Sequence, residues 1–321
     1  MFTRRQMLAA AGTAALASPA LAQDKRELPK PGKRAWAAQV PVIRIGLLGG
    51  ENDADRLQRV EGYKKLIETT FEVPTKLLMA SDYAGVIQGF AAGQVDLSYM
   101  SPASYAAAWI ESKGNIVPLT TSKEKDGGIS YVAVCYVRAD SGITSIEQLK
   151  GKALAWADPN SASGYLIPRS EFRAMGIDPE AGKYFSRTGF GGGHEQAVVA
   201  VLNKQYDAGV TWASGIGDVN EGYTRGALRV MVEKKLLDMK DLRIIWKSRP
   251  IVNGPLAVRG DTPDAFKADM LALHRAIPQT NPDVFHAMDM GSSIDWVPVK
   301  HEDYIVFVDM LKAEADQRRK R

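Results

Sequence analysis

From residue 42 to residue 258, short β-branched and aliphatic runs alternate with amphipathic ones, which restricts the chain to α/β architecture with largely parallel sheets. Strand-like runs lie at residues 42–48, 74–79, 95–99, 116–119, 131–137, 153–157, 207–211, 242–246 and 256–258. Helical periodicity falls between them at 53–70, 83–92, 103–112, 164–175, 196–202 and 215–223. A chain of 321 residues exceeds one usual domain and predicts two lobes. The long apolar run 131–137 precedes Arg138-Ala-Asp-Ser-Gly142 and predicts a handover between lobes; the Pro- and Gly-containing stretch 248–258 predicts the return. Lobe 1 is then expected to be discontinuous, 41–137 with 252–321, around a lobe 2 of 138–251, and a ligand is expected in the cleft between them. Residues 262–321 read as helices on lobe 1, with Asp261-Thr-Pro-Asp264 as the start signal.

Residues 1–22 carry Arg4-Arg5, an apolar stretch at 7–16 and Ala20-Leu21-Ala22, the pattern of a twin-arginine export signal cleaved after Ala22. The expected location is the periplasm, with residues 23–40 as a linker. The apolar stretch is too short to span a bilayer, so the mature chain is not expected to be membrane-embedded. Removing residues 1–22 changes the balance of 41 basic against 37 acidic residues only by Arg4 and Arg5. So small a net charge argues against a nucleic-acid binder, and the basic clusters at 25–33 and 318–321 read as solvated tails. Cys135 lies in an apolar strand-like run with no partner for a disulfide, and no HExxH or CxxC spacing exists, so neither a metal nor another cofactor is expected.

Two segments place chemistry at helix entrances. Asp158-Pro-Asn-Ser-Ala-Ser-Gly-Tyr-Leu-Ile-Pro168 follows a strand and enters a helix, bringing Ser161 and Ser163 beside unpaired backbone N–H groups and the positive end of the helix dipole. That combination suits an oxyanion, although Ser and Asn also serve as ordinary N-caps. Gly189-Phe-Gly-Gly-Gly-His-Glu-Gln-Ala197 sets glycines and His194 before the next helix, allowing close backbone approach and an imidazole donor. Tyr83 opens a helix after a strand, Tyr131 starts the suspected crossing strand, and Ser101 follows another strand; each can reach the same cleft. Trp212 can pack on a ligand or on the lobe core.

These pieces resemble the phosphonate-binding periplasmic proteins of ABC importers, within the phosphate, phosphite and phosphonate binding family. The resemblance is carried, in order, by Asp82-Tyr-Ala-Gly-Val-Ile-Gln-Gly89, Gln94-Val-Asp-Leu97, Tyr131 with Ala139-Asp-Ser141, Asp158 to Leu166, Gly193-His-Glu195, Asn203-Lys-Gln205 and Ile245-Trp-Lys-Ser248. It implies the two-lobed type II periplasmic-binding fold. It also implies a phosphonate head held by Ser161, the residue at Ala162, His194 and Tyr131, with Tyr83 lining the cleft. The family commonly has Thr at Ala162, so one hydroxyl donor is missing here or comes from Ser163. Family members that bind aminoalkyl phosphonates hold the ammonium with acids, at positions that fall near Ser214 and Gly254; neither is acidic here, so an uncharged ligand tail is expected. The resemblance implies a monomer that delivers a small phosphonate, phosphite or phosphate to an ABC permease. Two alternatives keep the fold: a periplasmic sensor that hands its closed form to a histidine kinase, or an enzyme. A two-lobed transferase such as porphobilinogen deaminase carries its cofactor through a Cys, which the strand position of Cys135 does not suit. A Ser161–His194 nucleophile pair lacks a nucleophile elbow and an evident third group.

Overall fold

The computed structural model describes residues 25–50, 52–291 and 293–319. The export signal expected at 1–22 lies outside the described residues, as do the side chains of Arg318, Lys320 and Arg321. Among the described residues no helix is long and apolar enough to cross a membrane.

The chain first lays down β1 (Ile43–Leu47), β2 (Thr75–Met79), β3 (Leu97–Tyr99) and β4 (Ile116–Lys123). It then crosses to a second sheet of β5 (Ser130–Arg138), β6 (Ala153–Trp156), β7 (Arg187–Phe190), β8 (Ala208–Ala213), β9 (Leu242–Lys247) and β10 (Ile251–Val252). Finally it returns as β11 (Pro255–Arg259) and β12 (Asp295–Pro298). The first sheet has the order β12-β4-β11-β3-β1-β2; the second runs β10-β5-β8-β6-β7 with β9 also on β5. The α/β two-lobed architecture is thus present, but the sheets are mixed rather than largely parallel. β1 runs parallel to β2 and β3, and β6 to β7 and β8. The two strands that arrive from the crossings, β5 and β11, run antiparallel to all their partners, because each enters its sheet from the cleft side. β5, expected to end lobe 1, is hydrogen-bonded entirely into the second sheet, which moves the first crossing ahead of residue 130. Its interior is buried from Tyr131 to Val137, the continuous apolar pattern of a strand covered on both faces.

Helices cover these sheets. α1 (Asp53–Phe71) starts where the Asn52 side chain accepts from Ala54 and Asp55 N–H groups and ends with Glu72 in the left-handed region at φ 53°. Its buried face, Val60, Tyr63, Ile67 and Phe71, follows helical spacing and joins the first-sheet core. α2 (Tyr83–Ala91) is capped by Asp82 and α3 (Pro102–Glu111) by Ser101. On the second sheet lie α4 (Ile167–Ala174), α5 (His194–Leu202) and α6 (Ala227–Glu233). α7 (Asp264–Thr280) and α8 (Pro282–Asp289) pack on the first-sheet core, and α9 (Ile305–Arg319) packs on α3. The helix expected at 215–223 is a loop with one short 3-10 turn at Val219–Glu221. Gly215, Gly217 and Gly222 take φ of 74°, 86° and 76° there, and the helix forms only after Gly226, as α6. The expected linker also departs from the solvated-tail reading. Trp36 is buried edge-on against Phe71 and Phe266, and the Arg26 guanidinium grips Asp295 with two 2.7 Å bonds.

A further apolar cluster bridges the lobes, with Val86, Phe90, Ala103 and Tyr105 on the first side and Tyr131, Ala162 and Leu166 on the second. Beside it the lobes are in contact. Ser101 Oγ donates to Asn160 O at 3.1 Å, Asp158 Oδ2 accepts from Tyr83 N–H at 3.3 Å, and Lys234 reaches Asp55 at 2.6 Å.

Candidate functional site

A cavity of ≈ 210 Å³ lies between the lobes, at the carboxyl ends of β1 and β3 on one side and the entrances of α4 and α5 on the other. Ser161 caps the helical segment that runs from a single π-type turn, Ala162–Leu166, into α4; its Oγ accepts the Gly164 N–H at 2.9 Å. Ser161 Oγ lies 3.2 Å from His194 Nε2, and His194 Nδ1 lies 3.0 Å from Thr211 Oγ1 on β8. The imidazole is therefore held at both nitrogens. When Thr211 donates to Nδ1, the ring proton sits on Nε2, facing Ser161 and the cavity. Burial lowers the His194 pKa from 6.5 to about 4, so the ring is neutral near pH 7 and acts through its N–H rather than a full charge. Burial likewise pushes the Tyr131 hydroxyl up to about 12, against the opposing effects of its hydrogen bond to Ser163 and of the Arg225 charge; it remains a donor at any ordinary pH.

The glycines around Ser161 and His194 have steric roles. A Cβ at Gly164 would sit against Ala157 and 3.0 Å from His194 Cε1. Gly193 and Gly50, at φ 159° and 93°, bring backbone from the two lobes into direct contact, which a side chain at either position would block.

Of the residues singled out in the sequence, Tyr83, Ser101, Tyr131, Ser161, Ser163, His194, Trp212 and Gly254 line the cavity. The Ser101 hydroxyl is already committed to Asn160 O and to capping Ser104 N–H. Ala162 instead turns its methyl into the apolar cluster that joins the lobes. Ser214 lies off the cavity wall, its hydroxyl 2.8 Å from Thr224 Oγ1. Gly254 is excluded from bearing an acid by packing: a Cβ there would collide with Met100 O.

Several wall residues escaped the sequence reading. Thr211, behind His194 rather than on the wall itself, sits mid-strand and carries no local signal. Arg225 is buried, lines the cavity, and stacks its guanidinium 5.1 Å from the centre of the Trp212 ring, which meets Tyr131 edge-on at 6.0 Å. Arg225 bonds Glu124 through Nε at 3.1 Å and again through a terminal nitrogen, and Asn253 Oδ1 at 2.8 Å. Asp289 approaches Arg225 Nε at 3.8 Å and accepts from Ser122 Oγ. Gly49-Gly50, directly after a strand and before the Asn52 cap, is the one missed wall segment with a readable signature.

The model of the family described as ABC transporter, phosphonate, periplasmic substrate-binding protein matches residues 45–304. The chain belongs to this family. It is a substrate-binding protein of the ABC-transporter type, and its family is periplasmic. The phosphate-import protein PhnD of Mycolicibacterium smegmatis is 28% identical over 260 residues, 78% of this chain and 74% of that protein. The phosphonates-binding periplasmic protein of Escherichia coli is 28% identical over 233 residues, 71% of this chain and 64% of that one. In structure, this family member resembles the binding protein of an ABC phosphonate transporter from Pseudomonas aeruginosa, with TM-score 0.71 and 24% identity over 84% of this chain and 85% of that one. PhnD1 of Prochlorococcus marinus, solved with methylphosphonate, gives TM-score 0.73 at 17% identity over 86% and 98% of the two chains. At these identities the structural matches establish the shared fold.

Proposed function

We propose that this protein captures a phosphonate or related phosphorus oxyanion by its head group between Ser161, Ser163, His194 and Tyr131, and hands it to an ABC permease. The observation that carries the reading is the Ser161–His194–Thr211 hydrogen-bond chain at a helix entrance that opens into the inter-lobe cavity. Hydroxyl, imidazole and backbone N–H donors converge there with the positive end of a helix dipole, and no carboxylate competes for them within that chain. Ala162 offers its backbone N–H alone, and Ser163 supplies the second hydroxyl. Trp212 lines the path of the ligand's substituent, while Ser214 and Gly254 serve the loop and the backbone packing rather than a ligand ammonium. The protein works by binding and not by catalysis, because the Ser161–His194 pair has no acidic group orienting the ring; Thr211 does so as a neutral partner.

In this reading the lobes are 25–124 with 253–319, and 130–252, joined by the crossings at 125–129 and 252–253. The chain acts as a monomer and is exported through the Arg4-Arg5 signal. A thermal-shift series on residues 23–321 with phosphate, phosphite, methylphosphonate, 2-aminoethylphosphonate and sulfate tests the ligand class, since a ligand that binds only the folded state raises the melting temperature. The expected result is a rise with the phosphorus oxyanions that His194→Ala abolishes. A rise with none of them at millimolar concentration rejects the class.

A further inference from the structure

The two lobes are tied together at one rim of the cavity. On α1, Arg59 and Tyr63 face the cavity, and on α6 Ala227, Val230 and Met231 do. Helical spacing places Asp55 one turn before Arg59, and Lys234 one turn beyond Val230, each at the edge of its own wall. There the Lys234 ammonium of one lobe meets the Asp55 carboxylate of the other at 2.6 Å. The same ammonium lies 3.9 Å from Glu195, the second residue of α5, which follows His194 and lines the cavity. One cation thus joins the ends of α6 and α5 to the start of α1 across the cleft.

Other ionic contacts between the lobes stand elsewhere. Arg225 binds Glu124, beside the first crossing, and Asn253, at the second, so it belongs to the pivot, which moves least when lobes swing apart. Arg169 of α4 meets Glu314 of α9 away from the cavity lining. Lys234 and Asp55 belong to neither crossing, and they flank the point where the backbones of the two lobes touch, at Gly50 and Gly193. Opening the cleft parts the start of α1 from the end of α6 and breaks this pair. Its side chains are 28% and 40% exposed. Water therefore replaces the lost partner at modest cost, whereas a fully buried pair would strand its charges and lock the lobes.

We infer that Lys234 is a latch: by binding Asp55 across the cleft mouth it biases the lobes toward the closed form and slows ligand escape. This rests on the reading that the inter-lobe cavity holds the ligand, and goes beyond it by naming the residues that keep the cavity shut. Lys234 is not on the cavity lining, so it acts as a positioning residue, through α1. Breaking a part-exposed pair is expected to lower the closed-to-open ratio by about two- to fivefold. Lys234→Met falls at the upper end, because it also leaves the Asp55 and Glu195 carboxylates as neighbours without the cation between them.

The test is pulsed EPR on the mature protein carrying spin labels at Lys65→Cys in α1 and Lys183→Cys in the other lobe, both exposed positions; Cys135 is buried and does not take the label. The expected result without ligand is a short-distance population in the wild-type background that Lys234→Met and Asp55→Asn each shift to longer distances, and that Lys234→Arg retains. Stopped-flow measurement with methylphosphonate is expected to show release faster by the same factor in the first two variants, with association unchanged. Identical distance distributions in Lys234→Met and the wild-type background overturn the inference. So does a shift in Lys234→Met without one in Asp55→Asn, which would assign Lys234 to Glu195 within its own lobe, and so does a shift that leaves release unchanged. Failure of the wild-type protein to bind methylphosphonate counts against the proposed ligand class, and the distance distributions then decide the latch alone.

Discussion

His194 is the residue on which the proposed anion site turns, and its surroundings decide how it would work. Held between Ser161 and Thr211 and kept neutral by burial, it can donate only one N–H, so the orientation of that N–H matters as much as the ring. Thr211→Val removes the hydroxyl that contacts His194 Nδ1 while keeping the side chain's shape. It is expected to weaken anion binding by roughly tenfold, the cost of about one hydrogen bond, without the complete loss predicted for His194→Ala. Titration of both variants with methylphosphonate checks this, and equal losses in the two would assign Thr211 a larger part. Gly254 makes a different residue-scale case. The absence of an acid there reads in the sequence as a matter of ligand choice, whereas the structure shows a glycine required by the close approach of the Met100 carbonyl. Gly254→Ala is expected to destabilise the fold by about 1–3 kcal/mol through overpacking, read as a lower denaturant midpoint. A neutral outcome would mean that the backbone at Met100 yields. Ser161, Ser163, His194, Tyr83 and Tyr131 were legible because each stands at a strand end or a helix start. Thr211 and Arg225 were not, because a mid-strand threonine and a loop arginine carry no positional signal.

At the scale of elements, the loop before α6 carries Arg225 to Glu124, just beyond β4, and to Asp289 at the end of α8. One guanidinium and two carboxylates are thereby buried together. Such a group contributes little net stability when intact but is costly to break, because removing the cation strands the acids. Arg225→Ala is expected to lower stability by about 3–5 kcal/mol, and adding Glu124→Gln should recover part of that loss. Chemical denaturation of the two variants makes the comparison; an unchanged midpoint in Arg225→Ala would mean that water already serves the acids. The same loop is where helical periodicity misled. The spacing of Val219 and Tyr223 suits a helix, but three glycines with left-handed backbone define the segment instead. The segment before β1 misled in the opposite sense. Its lysines and prolines resemble a linker, while Trp36 anchors it in the first-sheet core. Trp36→Ala is expected to cost about 3–5 kcal/mol.

For the molecule as a whole, buried histidines make stability depend on pH. Burial lowers the pKa of His194 to about 4 and that of His274 to about 3, from the ordinary 6.5. Between those values the unfolded chain binds protons that the folded chain refuses. Their contribution is therefore complete above pH 6.5 and is lost progressively as pH falls toward 4 and 3. The melting temperature of the unliganded protein is expected to drop from pH 7 to pH 4.5, with a shallower slope in His274→Gln; identical slopes would exclude that histidine as a cause. The sequence by itself determined the α/β alternation, the two lobes and the helix entrances at Ser161 and His194, because these depend on residues close together in the chain. Tertiary structure alone decided the strand directions, the crossing ahead of β5, the Thr211 support of His194 and the Arg225 cluster. Those depend on contacts such as Arg225 with Glu124, 101 residues apart, where charge compensation and packing are settled by what the fold brings together and leave no trace in local pattern.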